Sequence, residues 1–463
     1  MKKSLLAIAA IGAFASAAQA QSSVTVYGVL DVAAIGQTNS GNLNSTASTV
    51  PAAFGGVNAS GGSTIKPGST FGISSNGESM SRIGFKGSED LGSGTKAIFT
   101  LEQGFSPSTG ELGNTGMLNQ GKSANISGDS SIQGQLFNRG AFVGLSNDKY
   151  GTLTAGRQQN LMLDNIANYD PVPAFAVSPL QYSGSYGGGG RTDEGRVDGA
   201  LKYVWKSNGF NANLLYAPGG FASQSTMGTT SGAQVGWENA KYGIQAIASH
   251  TTDAMNLSPA QNTLASLTTV NPNTQSINVN ALTNTVVNTT AYMLTAKWSP
   301  VDALWVKGGY ERELIGTPSN FQNYNLATTT GGIPLTNVAG QTNYFVNVAW
   351  IGAQYQVTPA IKVSAAYYYA GTPAAGPAAA SACANPNALA SFSSNTGGCT
   401  GTAQYEALTV DYSLSKRTNL YALLGNTTLT GGQKYSYATV ANGAATATLS
   451  GQQTYGIGVR HSF

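Results

Sequence analysis

The sequence predicts an all-β chain, a transmembrane antiparallel up-and-down β-barrel of sixteen strands. Three observations carry that prediction. The last ten residues put Tyr455, Ile457, Val459, His461 and Phe463 on one face and Gly456, Gly458, Arg460 and Ser462 on the other, because strand side chains alternate with a period of two. Only 9% of the residues are charged, against about 25% in a typical soluble domain, so much of the outside does not face water. Sixteen alternating segments recur along the chain, joined by short turns and long polar loops in turn, as in a barrel with short periplasmic turns and long outer loops. Taken alone, the final segment fits equally a half-buried strand ending a soluble β protein. The other two observations separate the readings.

Residues 1–20 precede the barrel. Lys2 and Lys3 form a basic start, 5–15 an apolar run, and Ala18, Gln19 and Ala20 a small-x-small ending. This pattern is a secretory signal peptide cleaved after Ala20. The run is too short for a membrane helix, which needs roughly 20 residues, and no later stretch is long enough. The mature chain, 21–463, has no linker or composition shift that divides it.

The first strand covers 24–35, where Asp31 opposes Leu30 and Val32. The second, 78–87, sets Arg82 and Lys86 against Ile83 and Phe85, and the third, 95–105, sets Glu102 against Phe99 and Leu101. Segments 135–145 and 151–157 flank the next turn. In 196–206, Arg196, Asp198, Lys202 and Lys206 share one face and Val197, Leu201, Tyr203 and Trp205 the other. A charge on the lipid face costs about 2–4 kcal/mol at the midplane, so the charged face is expected inside, with Tyr203 and Trp205 in an interfacial girdle. Segment 210–217 follows 196–206 across a short turn; the pairs 233–238 and 242–251, 291–299 and 304–313, 343–357 and 361–370, and 405–413 and 418–426 flank further short turns, and 454–463 closes the series. In 304–313, Lys307 and Glu311 share a face away from Val306 and Tyr310. Most segments are about 9–11 residues long, as a tilted membrane strand requires. A soluble sandwich does not space its connections so regularly.

Composition excludes several functions. The formal net charge is +3, and about +1 without Lys2 and Lys3, so the chain is no basic nucleic-acid binder. Only His250 and His461 are present, and no Cys/His spacing suits a metal; no cofactor is implied. GSGTK at 92–96 lacks the phosphate-loop spacing and lies between two strands, so it reads as a hairpin turn. His250, at an outer strand end, is the one conceivable place for a Ser/His/Asp site, and no barrel protease or lipase motif accompanies it. The chain reads as no enzyme. Abundant Gly, Asn, Thr and Ser leave a secreted β-adhesin or β-helix open on composition alone. Cys383 and Cys399 sit in one long loop, and an exported chain meets an oxidising space, so a loop disulfide is expected.

Six motifs follow in order: VTVYG at 24–28, SRIGFKG at 81–87, EDLG at 89–92, KAIFTLEQGF at 96–105, RGAFVGL at 139–145 and YGTLTAGR at 150–157. Together they resemble the general trimeric porins of Gram-negative outer membranes, especially the beta-proteobacterial branch. The resemblance is motif-based over 21–160 and at the C-terminal strand, and pattern-based between. It implies a barrel with its third loop folded into the lumen, passive diffusion of small hydrophilic solutes and ions, and a homotrimer. The implied partners are outer-membrane lipid, lipopolysaccharide and an assembly machinery that reads the strand ending at Phe463. Arg82, Arg139 and Arg196 match the family's basic wall ladder. YDPVPAF at 169–175 resembles the acidic tip of its third loop; Asp170 is retained, and Ala174 stands where the enteric members carry glutamate. The expected constriction is thus Arg82, Arg139 and Arg196 facing Asp170, with Asp31, Lys86, Glu102, Asp198 and Lys202 further along the lumen. Asp164 is a second candidate acid, and Arg157 a candidate loop anchor or subunit latch. Three cations against one acid predict a modest anion preference. A substrate-specific porin is the alternative within the class and calls for a run of lumen aromatics. Tyr27 and Tyr368 face inward, but they form no run.

Overall fold

The computed structural model describes residues 23–42, 66–110, 112, 136–181, 195–219, 226, 228–259, 282–316, 319, 344–372, 401–431, 435–438, 445–449 and 451–463. The signal segment and both cysteines lie outside them. In chain order the strands are β1 (Ser23–Asn42), β2 (Lys66–Ser75), β3 (Arg82–Gly92), β4 (Thr95–Gly104), β5 (Gly140–Asn147), β6 (Gly151–Gln159), β7 (Arg196–Ser207), β8 (Phe210–Ala217), β9 (Thr230–Glu238) and β10 (Tyr242–Pro259). There follow β11 (Leu282–Val301), β12 (Leu304–Gly316), β13 (Tyr344–Thr358), β14 (Ile361–Thr372), β15 (Gly401–Ser413), β16 (Thr418–Gly431), β17 (Tyr435–Ala438), β18 (Ala445–Leu449) and β19 (Gly451–Ser462). One helix, α1 (Leu161–Tyr169), follows β6.

Sixteen of the seventeen strands of the main sheet close a ring. Each of β3 to β15 pairs antiparallel with the next, and β19 pairs with both β16 and β1. β1 then meets β3 from Ser23↔Ser88 to Val29↔Arg82. Closure gives each of these sixteen strands a hydrogen-bonded neighbour on both sides, as a strand in lipid requires. Among the described residues no helix is long and apolar enough to cross a membrane; the crossing elements are strands.

The expected elements recur with two differences. The first long connection contains a further strand, β2, which pairs with the far half of β1, from Val32↔Ser75 to Asn42↔Lys66. Its sequence, KPGSTFGISS, carries Pro and Gly that read as loop. The last long connection contains the β17–β18 hairpin, apart from the barrel sheet.

The pleat sorts side chains as the sequence predicts. Val235, Ile244, Leu294, Ile351, Leu424 and Ile457 are each at least half exposed, an outward apolar surface suited to lipid. The apolar core is on the other face. Leu161, Met162, Ile166, Val172, Val177 and Leu180, from the segment after β6, cluster with Leu215, Ile247, Met293, Val348, Trp350, Tyr368 and Leu423 of the wall.

The alternation breaks once with consequence. On β7, Gly156↔Ala200 is followed by Gln158↔Val197, so Asp198 and Gly199 together oppose Arg157. Gly199 has φ +60, a left-handed conformation that suits glycine. The bulge shifts the row, so Val197, expected outward, joins Ala200 and Lys202 and is buried in the core, while Asp198 and the backbone position of Arg196 leave the Lys202 row they were expected to share. The Asp198 side chain is 65% exposed and pairs with Arg157 at 2.6 Å. Arg157 stands opposite Ala141, in the outward row of Val143 and Leu145.

Candidate functional site

Two of the three expected arginines, Arg82 and Arg139, converge on a residue from the wall itself. Glu102 pairs with Gly84 on β3, two positions from Arg82↔Gly104, so Arg82 and Glu102 lie on one face. Arg139, just before β5, donates from Nε to Glu102 Oε1 at 2.7 Å. Arg82 Nε lies 3.6 Å from Glu102 Oε2. Tyr27, opposite Gly84, donates its hydroxyl to the same oxygen at 2.9 Å. Arg196 joins from β7, its Nε donating to the Arg139 carbonyl at 3.0 Å. Exposure grades the set: the Arg82 side chain is 25% exposed and that of Arg139 11%, while Arg196 is buried. Burial pulls the Arg139 guanidinium down to about 10, with Arg196 and Arg82 acting in the same direction and Glu102 opposing them. The nearby Lys86 is exposed, its Nζ 5.2 Å from the Tyr27 ring centre.

Asp170, the acid expected to face these arginines, is held by donors of β14 and of its own segment. It is fully buried and accepts from the Tyr368 hydroxyl at 2.5 Å, the Val172 amide at 3.0 Å and the Ser178 hydroxyl at 2.7 Å. A carboxylate so supplied with donors anchors the chain after α1 to β14. Asp31 is likewise sealed. It accepts from the amides of Gly77, Glu78 and Ser79 and from the Tyr421 hydroxyl, and so braces the turn before β3. Lys202 is buried and pairs with Asp164 of α1, also donating to the Gln159 carbonyl at 3.1 Å.

The segment 160–181 bonds and packs against several wall strands. Asn160 caps α1 by accepting from the Leu163 amide at 2.7 Å, as a helix start requires. Asn165 reaches Thr295 of β11 at 2.9 Å. Trp350 of β13 donates to the Tyr169 carbonyl at 3.2 Å and Gln354 to that of Pro171 at 2.9 Å. The amides of Phe175 and Ala176 bond the carbonyls of Glu78 and Gly77. Two wall glycines make room: a Cβ on Gly352 would lie 2.7 Å from the Pro171 side chain, and one on Gly425 2.8 Å from Val177.

The sequence reading missed Glu102 as the centre of the arginines, although its shared parity with Arg82 was visible. It also missed the inward aromatics Trp350 and Tyr421, which with Tyr368 hold the loop and turn. A further ion pair, Lys297 with Glu238 at 3.0 Å, lies beside Tyr169.

A family model described as Gram-negative porin matches residues 7–432. An outer membrane porin protein of Bordetella pertussis is 36% identical over 174 residues, 38% of each chain. Outer membrane porin protein 32 of Delftia acidovorans is 31% identical over 232 residues, 50% of this chain and 52% of that one. The chain thus spans about half, or less, of the length of these curated relatives. Among solved structures, the anion-selective porin from Comamonas acidovorans superposes with TM-score 0.59 at 18% identity, covering 96% of this chain and all of that one. The trimer form of OmpT of Vibrio cholerae superposes with TM-score 0.52 at 13% identity, covering 96% and 99%. At such identities the likeness is one of fold.

Proposed function

The chain belongs to the Gram-negative porin family, whose place is the outer membrane, and from that premise we propose that it forms a water-filled channel for passive diffusion of small hydrophilic solutes and ions, with a modest preference for anions. One observation carries the preference: Arg82 and Arg139 share one carboxylate, Glu102, on the wall of a closed barrel, and Arg196 stands behind them, donating to the Arg139 carbonyl. Fixed charges lining a pore select ions by sign, and low-dielectric walls focus their field. Segment 160–181 lies in the lumen and narrows it, and its hydrogen bonds to β11, β13 and β14 support that placement. Arg82, the most exposed of the three, meets the permeating ion most directly, while Arg139 and Arg196 act from behind it. The name of the Comamonas acidovorans protein agrees with this sign of selectivity.

The functional unit is a homotrimer embedded in outer-membrane lipid and lipopolysaccharide. It is exported by the signal peptide at 1–20 and inserted by machinery that reads the strand ending at Phe463. Family and fold are those of a channel rather than an enzyme. A substrate-specific porin is disfavoured because Trp350, Tyr368 and Tyr421 spend their polar atoms on bracing instead of lining a path. The test is planar-bilayer recording of the purified protein. Discrete conductance steps arriving in threes are expected. Folded protein that conducts nothing would overturn the channel and restore the surface adhesin.

A further inference from the structure

We infer that Lys307 is the centre of a second anion-binding site, on the wall away from the arginines and near the short-turn mouth, fitted to a small solute bearing a carboxylate or phosphate. The inference rests on the channel reading. Lys307 is the fourth residue of β12, close to the turn that joins it to β11. It stands directly opposite Lys297 in the strand register. Like charges directly opposed on a strand pair are destabilising, and a bound anion relieves that repulsion.

The neighbouring cations are already matched. Lys297 pairs with Glu238 at 3.0 Å, and Lys362 pairs with Asp411 at 3.3 Å. Lys307 has no carboxylate within ion-pair distance among the described residues, although it is only half-buried. Asp170 acts on it electrostatically, but that carboxylate is held by Tyr368, Val172 and Ser178. On the other side Lys307 faces Gly352, with Pro171 packed close over that glycine. Trp305 lies two residues away in the same inward row, its ring centre 5.8 Å from Lys297 Nζ. The site thus offers one ammonium outside any ion pair among the described residues, a second shared with Glu238, and an aromatic wall. It suits a solute that has passed the arginines and shed part of its hydration.

The test uses inorganic phosphate as probe. Chloride conductance of the reconstituted channel is titrated with phosphate, and each variant's folding is checked by its heat-dependent gel mobility. In the wild type phosphate lowers the chloride conductance. Lys307→Gln raises the half-effective concentration about tenfold, the worth of one charge-assisted hydrogen bond. Glu238→Gln lowers it, because Lys297 is released to the anion. Arg82→Gln moves the salt-gradient reversal potential. Conductance that is insensitive to phosphate, or Lys307→Gln that titrates like wild type, would overturn the site and leave the channel standing. Should Lys307→Gln fail to fold, Glu238→Gln decides, and an unchanged titration there overturns the proposal. A protein without conductance removes both readings together.

Discussion

Replacing Glu102 by glutamine isolates the charge balance of the arginine cluster. The substitution keeps the shape and the hydrogen-bond acceptor facing Arg139 Nε at 2.7 Å, and removes the one carboxylate that Arg82 and Arg139 share. An ion on the permeation path, taken at about 10 Å from the carboxylate, feels about 0.4 kcal/mol from one unit charge in water, and about 0.2 kcal/mol after partial screening at 0.1 M salt. Losing a negative charge raises the local anion concentration by about 1.4- to 2-fold and lowers that of cations by the same factor. The anion-to-cation permeability ratio should therefore rise about two- to fourfold, and more at low salt. The assay is the reversal potential across a bilayer under a tenfold salt gradient, repeated at two absolute salt levels. An unchanged reversal potential at low salt would refute the reasoning, because it would place the permeant ion beyond the field of this cluster.

Other outcomes follow from the anchors. Tyr368→Phe removes the hydroxyl that donates to buried Asp170 at 2.5 Å; it should lower stability by about 1–3 kcal/mol, read as the urea midpoint in lipid vesicles, and make the open-channel current noisier. Gly425→Val puts carbon where Val177 already sits 2.8 Å from a built Cβ; the displaced loop end should raise single-channel conductance, and an unchanged value would mean that 177–181 does not limit the current. Glu78, in the turn before β3, has its carboxyl pushed up to about 8, by burial first and by Asp411 next. The folded chain then holds a proton that the unfolded chain has released, so stability is full below about 4.5, falls as pH rises toward about 8, and is flat beyond. Glu78→Gln should flatten that slope, and a slope surviving in the variant would assign it to another group.

How much was legible in the sequence depended on the local rule in force. Wherever the chain is a regular strand, period-two alternation placed residues correctly: Ile457 and Val459 outward, Arg82 and Glu102 on one face. Parity failed at Asp198, because a single extra residue on β7 inverts every assignment beyond it, and the positive φ of Gly199 does not distinguish itself from that of any other glycine in sequence. Asp170 was recognised as the acid of the loop, but its partners Tyr368 and Ser178 come from a long-range contact and a local turn, neither of which strand periodicity reports. β2 escaped because Pro67, Gly68 and Gly72 carry loop chemistry, and its strand character comes from lying beside the overhanging end of β1. The Lys297 and Lys307 pair became visible only once the register of β11 and β12 was in hand.

The central claim is that wall arginines around Glu102 set the sign of ion selectivity. The most direct test is the reversal potential under a salt gradient for the wild type and for Arg82→Ala/Arg139→Ala/Arg196→Ala, both shown to be folded. The account predicts an anion-preferring wild type and a variant whose preference is lost or reversed, with conductance retained. Equal reversal potentials in the two proteins would contradict it.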